Sequence, residues 1–168
     1  MEVNNSRRSF AKTALLSALA PVGISQLASS KEISDRFEFC TFTKPFQHMT
    51  FDQLAESMAA IGLDGIECPV RPKGHIEPEN VADQLPKMIE ALKKNGLDMT
   101  ILTSGINSID PKQNTEQVLK TASDLGVKRF RMAYYRYNLD KPLLPQIDEF
   151  KAQLKDLVAM TDEMGIKP

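Results

Sequence analysis

The sequence has only two cysteines, Cys40 and Cys68, and no C-x-x-C spacing. That is too few for a disulfide scaffold or a thiolate metal site, and both read as small buried hydrophobes. There is no excess of charge either: 21 Lys+Arg stand against 22 Asp+Glu, a formal net charge of -1. Without a global positive field neither phosphate backbones nor anionic lipids are attracted, so nucleic acid is not an expected partner. A long apolar run is also missing. The stretch from Ala14 to Ala20 is too short to span a bilayer and is followed by Pro21 and Gly23. What is present is ordinary globular composition, 42% hydrophobic and 26% charged over 168 residues, enough to bury one core.

Two adjacent arginines open the chain's one targeting signal. Ser6-Arg7-Arg8-Ser9-Phe10-Ala11-Lys12 precedes the apolar run, and the run contains no acidic residue. That is the layout of an export signal. It resembles the twin-arginine motif, departing at Ala11, where leucine is usual. Residues 1–34 are therefore expected to be an export signal and linker, and residues 35–168 the folded part. The resemblance implies a chain that folds first and is then exported to the periplasm. An uncleaved signal would tether it to the membrane.

Beyond Ser34 one phrase recurs: an amphipathic helix, a glycine, an aliphatic residue, a charged residue and a short strand. Its instances are Gly62-Leu63-Asp64, Gly96-Leu97-Asp98, Gly126-Val127-Lys128 and Gly165-Ile166-Lys167. These spacings of 34, 30 and 39 residues suit βαβ units. Each glycine falls where a helix C-terminus wants a left-handed residue. Upstream, Phe51, Leu54, Ala55, Met58 and Ile61 share a helical face, and Thr50 with Gln53 forms a capping box. Val118, Leu119, Ala122 and Leu125 repeat the pattern, as do Ile147, Phe150, Leu154, Leu157 and Val158. In the second helix Pro86 is expected to begin the main body, with Pro78 opening an earlier turn and Met88, Ile89 and Leu92 facing inward.

Strands are expected at about 37–42, 63–68, 97–103 and 127–133. Short strands alternating with helices imply an α/β fold with a parallel sheet. A barrel of eight such units takes about 250 residues, and the 129 residues from Phe37 to Gly165 are about half of that. We therefore expect parallel (β/α) repeats, the first four units of a TIM-type barrel. The chain would stop at Ile166-Lys167-Pro168, where a fifth strand begins, as a truncated product or a fragment. Such a half barrel leaves the edges of strands one and four open to self-association.

Strand alternation then assigns faces. The fourth and sixth positions after each glycine are Ile66/Cys68, Thr100/Leu102 and Phe130/Met132, suited to packing beneath helices. The fifth positions (Glu67, Ile101, Arg131) and the seventh (Pro69, Thr103, Ala133) should point into the barrel. Charge placed there is costly unless it serves something. In this fold the active site lies at the C-terminal ends of the strands, where the loop after strand two gathers Glu67, Arg71 and His75. An arginine fork can bind a carboxylate or polyol oxygen, and a histidine can move a proton near neutrality. Tyr134, Tyr135 and Arg136 sit at the strand-four rim, either contacting a sugar or lining the mouth. His48, on the same rim, reads as an ordinary loop residue. The basic and aromatic phrase from Arg129 to Tyr137 could suggest base stacking, but the strand phase already places Phe130 and Met132 in the core.

At these residues the chain resembles the sugar phosphate isomerase/epimerase family of xylose-isomerase-like TIM barrels. The likeness is carried by Phe39-Cys40-Thr41-Phe42-Thr43-Lys44, by Leu54-Ala55 through Ile61-Gly62-Leu63-Asp64-Gly65-Ile66-Glu67, and by Val70-Arg71-Pro72-Lys73-Gly74-His75 with Pro78-Glu79. The resemblance implies a divalent metal (manganese, cobalt, zinc or magnesium) bound to adjacent sugar oxygens, with proton transfer through an enediolate. It also implies metal ligands on strands five to eight, so no metal ligand and no catalytic residue is assigned here, and this chain alone is expected to be inactive and metal-free. Glu67, Arg71, His75, Thr103, Arg131 and Tyr134 are then expected to recognise a small-molecule sugar or sugar derivative. A lyase or hydrolase acting on oxidised sugars, or a non-catalytic carbohydrate-binding fragment, would use the same rim.

Overall fold

The computed structural model describes residues 37–168, so the export signal expected at the N-terminus lies outside the described residues. Four parallel strands, β1 (Cys40–Phe42), β2 (Gly65–Val70), β3 (Asp98–Ser104) and β4 (Phe130–Arg131), form one sheet in sequential order. Helices α1 (Phe51–Ala60), α2 (Val81–Lys94), α3 (Thr115–Asp124) and α4 (Leu143–Met164) alternate with them. Sequential parallel strands joined by helices are the (β/α) repeat that the recurring phrase predicts.

The helices start and stop for local reasons. Thr50 caps α1 by accepting from the Gln53 amide, while the Gln53 side chain accepts from the Thr50 amide. Gly62, Gly96, Gly126 and Gly165 all have φ between 70° and 90°, so each ends its helix in the left-handed region. Pro86 differs from expectation: it lies inside α2, which begins at Val81 after a 3₁₀ turn over Pro78–Asn80. An interior proline costs about 3 kcal/mol. Burying Val81, Leu85, Met88, Ile89 and Leu92 on the same helix offsets it, at about 1.5–3 kcal/mol per side chain.

The core lies between the helices and one face of the sheet. Ile66, Cys68, Leu102 and Phe130 are buried there with Leu54, Leu85, Leu92 and Leu119. Burial pushes the Cys68 thiol up to about 12, leaving it an inert hydrophobe. Cys40 is exposed, contrary to the sequence reading, because it opens the edge strand β1. Ile61 is exposed as well, since it follows the last turn of α1 and no longer follows the helical face. Leu154 is 37% exposed, contrary to its expected face: the residues that α4 buries are Gln146, Leu157 and Thr161.

Thr100 is also displaced from its expected face. A register shift between Ile66 and Glu67 pairs these residues with Met99 and Ile101, so Thr100 has no partner. Met99 takes the place in the core opposite Ile66. Such a bulge adds one residue and resets the alternation. Beyond β4, the Phe130 amide donates to the Lys167 carbonyl at 2.9 Å, and Arg129 and Lys167 form a parallel bridge. The residues after Gly165, at the fourth repeat of the phrase, thus form a parallel bridge that partly covers the outer edge of β4.

Candidate functional site

The face of the sheet opposite the core carries polar side chains that converge at its C-terminal end. Phe42, Glu67 and Ile101 are register partners across β1, β2 and β3, and Thr103 pairs with Arg131 across β3 and β4. The Glu67 carboxylate reaches over β3: its Oε1 lies 3.1 Å from Nη2 of Arg131 and accepts a hydrogen bond from the Thr103 hydroxyl. Glu67 and Thr103 are largely enclosed, with Thr103 only 2% exposed, whereas the Arg131 side chain is about half exposed. A half-exposed pair adds little to stability after screening, so its value lies in the orientation it imposes. Guanidinium and hydroxyl fix one carboxylate oxygen and leave Oε2 without a protein hydrogen bond among the described residues.

Phe42 completes the cluster. The Arg131 guanidinium carbon sits 5.0 Å from its ring centroid, and that of Arg71 sits 5.9 Å away, both within cation–π range. Next to them opens a cleft of about 230 Å³, lined by Arg71, Thr103, Ser104, Arg131, Tyr134 and Arg136 among others. The sequence had no means of assigning Phe42 a face, because no glycine-led phrase precedes β1 to set its phase. Only the parallel register with Glu67 reveals it. A larger hollow of about 410 Å³ lies along the start of α3, lined by Asp110, Asn114, Thr115, Glu116, Gln117 and Lys120 among others, and shares no lining residue with this cleft.

His75 is placed at the same end of the sheet but does not join the cluster. No hydrogen bond or ion pair links it to the Glu67 side chain among the described residues. Its Nδ1 lies 3.1 Å from Thr43 Oγ1 and its Nε2 lies 3.2 Å from the Phe46 carbonyl. A neutral ring with the proton on Nε2 satisfies both contacts, so His75 fastens the β2–α2 loop to the β1–α1 loop. Tyr134 is 87% exposed and its carbonyl accepts from Asn107 Nδ2. Tyr135 turns the other way, stacking on Phe150 with ring centroids 4.6 Å apart and donating to the Asn107 carbonyl.

Burial lowers the pKa of His75 below its ordinary value, partly countered by the bond to Phe46. The unfolded chain therefore takes up a proton at His75 before the folded one does. Stability from this group is fully present above about pH 6.5 and is lost as pH falls through the lowered folded value. Thermal melts between pH 7.5 and 5 should show stability declining below about pH 6.5, and His75→Gln should flatten that decline. An unchanged slope in the variant would assign the dependence to groups other than His75.

The described residues do not by themselves make a three-ligand site for a divalent metal. Among the described residues no three His, Cys, Asp or Glu side chains converge on a point, and a catalytic metal needs about three protein ligands. One oxygen of the Glu67 carboxylate, Oε1, is engaged by Arg131 and Thr103, and both His75 nitrogens are engaged.

No family model matches the sequence, and no curated protein matches it. Solved structures do match. A probable 3-DHS dehydratase from Bacillus anthracis superposes with a TM-score of 0.60 at 13% identity, over 77% of this chain and 50% of that one. D-psicose 3-epimerase from Clostridium cellulolyticum H10, solved with D-tagatose, gives 0.52 at 13% identity, over 77% and 50%. A xylose isomerase domain containing protein from Salmonella typhimurium gives 0.54 at 13% identity, over 77% and 47%. The chain spans about half the length of these neighbours. Its four parallel strands and their helices match half of a xylose-isomerase-like TIM barrel.

Proposed function

We propose that these four units form the substrate-recognition half of a (β/α)8 enzyme that moves a proton beside the carbonyl of a sugar. The carrying observation is the Glu67–Thr103–Arg131 cluster, set over Phe42 at the C-terminal end of a parallel sheet. The fold supports this reading, since such barrels place their chemistry at that end. So do two of the neighbours, a sugar epimerase solved with its sugar and a dehydratase. Epimerisation next to a carbonyl and loss of water from a β-hydroxy carbonyl can both start by removing the proton on the carbon beside that carbonyl; the first then returns the proton to the other face and the second expels the β-hydroxyl as water.

In this reading Glu67 Oε2 accepts from a sugar hydroxyl, while the unused N–H groups of Arg131 donate to a neighbouring oxygen. A guanidinium aimed at an oxygen that gains negative charge as the proton leaves would stabilise it. Thr103 holds the carboxylate in place, and His75 holds the loop that carries Arg71. Turnover is assigned to the closed eight-unit barrel rather than to these four units alone. A divalent metal expected from the fold would have to be held outside the described residues.

The test is a titration of the 168-residue chain with D-fructose, followed by amide chemical shifts. Weak binding should perturb residues around Phe42, Glu67, Thr103 and Arg131. Glu67→Gln should weaken it by about 10-fold or more, as expected for loss of a charged hydrogen bond worth about 1.5–3 kcal/mol. Shifts confined to another surface, or equal affinity in the variant, would refute the assignment.

A further inference from the structure

Past Arg131 the chain leaves the sheet, since β4 is only two residues long, yet residues 133–137 keep the alternation of a strand. Tyr134 and Arg136 line the cleft, while the rings of Tyr135 and Tyr137 both lie against Phe150 of α4, with centroids 4.6 and 5.3 Å away. A slip of one residue would exchange the two faces, turning Arg136 toward an aromatic ring and two tyrosines into the cleft. No strand pairing fixes the phase, because residues 132–138 belong to no strand.

The phase is held instead by Asn107, on the β3–α3 loop. Its Nδ2 donates to the Tyr134 carbonyl at 3.1 Å, and its own carbonyl accepts from the Tyr135 hydroxyl at 2.6 Å, so one residue grips two consecutive ones. Gln113 holds Asn107 in turn: its Oε1 accepts from the Asn107 amide at 3.0 Å and its Nε2 donates to Asn107 Oδ1 at 2.8 Å. Each polar atom of Asn107 thus has a partner. Just before, the Ala133 amide donates to the Ile106 carbonyl at 2.8 Å and brings the two loops alongside. The Tyr134 ring is left 87% exposed on the cleft side, where its apolar face can cover the C–H face of a bound sugar.

We propose that Asn107 is a positioning residue for the substrate: it sets the phase of the 133–137 wall, so that the Tyr134 ring covers the sugar held by Glu67 and Arg131. This rests on the sugar-binding reading above and deepens it, since Asn107 is not among the residues lining the cleft and acts through Tyr134.

The chain has three tyrosines, Tyr134, Tyr135 and Tyr137, so tyrosine-selective isotope labelling of the full 168-residue chain reads both faces of the wall at once. In a D-fructose titration the Tyr134 ring signals should move with the Glu67 amide, at the same half-saturation, while those of Tyr135 and Tyr137 stay nearly still. Asn107→Asp keeps the acceptor for Gln113 but has no N–H for the Tyr134 carbonyl. It should weaken fructose binding by about 3–10-fold, the range for one hydrogen bond. At saturation the Glu67 amide should still respond and the Tyr134 ring should not. Tyr135→Phe, which removes only a hydroxyl and keeps the ring against Phe150, should weaken binding by a smaller factor, and it carries the test if Asn107→Asp does not fold. A Tyr134 ring that stays still in the parent chain while Glu67 responds would overturn this inference and leave the sugar reading standing. Weaker binding of Asn107→Asp with the Tyr134 response intact would reduce Asn107 to a structural role, and unchanged binding in both variants would remove it from the site; either result overturns the positioning assignment. No response at Glu67 or Tyr134 in the parent chain would overturn both readings.

Discussion

Leu102→Ala is expected to destabilise the protein by about 2–5 kcal/mol, the range for truncating a fully buried leucine. Leu102 is 0% exposed and belongs to the cluster formed with Ile66, Cys68, Leu85 and Leu119. Its neighbour Thr103 points to the opposite face, where its hydroxyl donates to Glu67. Removing Cγ and its two methyl groups beneath the helices leaves a cavity that the flanking strands cannot close, because β2 and β4 pair with β3 on both sides. A chain of this size should melt roughly 4–20 °C lower. Sugar affinity of the molecules that remain folded should stay within about two-fold, well under the 1.4 kcal/mol of a tenfold change. Circular dichroism melts and the fructose titration read these two quantities separately. A stable variant with lost binding would mean that the two faces of the sheet have been exchanged in our reading.

Gly65→Ala is expected to cost about 1–3 kcal/mol through overpacking, and more if the strands must separate. A Cβ on Gly65 would approach the Asp98 carbonyl oxygen to 2.5 Å and Thr100 Oγ1 closer still. Thr100 is the residue left over at the register shift between β2 and β3, so the glycine makes room for the bulge. Combining the substitution with Thr100→Ala removes the side-chain conflict but leaves the carbonyl one, so rescue should be partial. Because relief requires β3 to move away from β2, the Thr103–Glu67 contact should loosen and sugar affinity should fall with stability. Urea denaturation alongside the same titration distinguishes this from Leu102→Ala, in which binding is retained. A Gly65→Ala chain as stable as the parent would show that the two strands tolerate a wider spacing at the bulge.

Local chemistry made the repeat legible in the sequence. Helix ends were marked by glycines that need a left-handed conformation, the start of α1 by the Thr50–Gln53 box, and the inward helical faces by spacing alone. The strand phase followed from the same glycines and placed Glu67, Thr103 and Arg131 on one face because alternation is a property of the backbone. The extended pairing at Lys167, a parallel bridge to Arg129, fell where the same phrase placed it.

Tertiary structure decided what depends on residues distant in the chain. The bulge at Thr100 is a register relation between two strands, invisible to a count along one of them. Phe42 gained its place under two guanidiniums only when β1 paired with β2. The sequence placed His75 at the right end of the sheet, but its partners Thr43 and Phe46 lie about 30 residues away, and their contacts made it a fastener between loops. The sequence by itself therefore determined the repeat, its helix caps and the polar face, because each depends on backbone geometry within a few residues. Only the fold decided which of those polar groups meet, because that depends on strand register and loop contacts across the sheet.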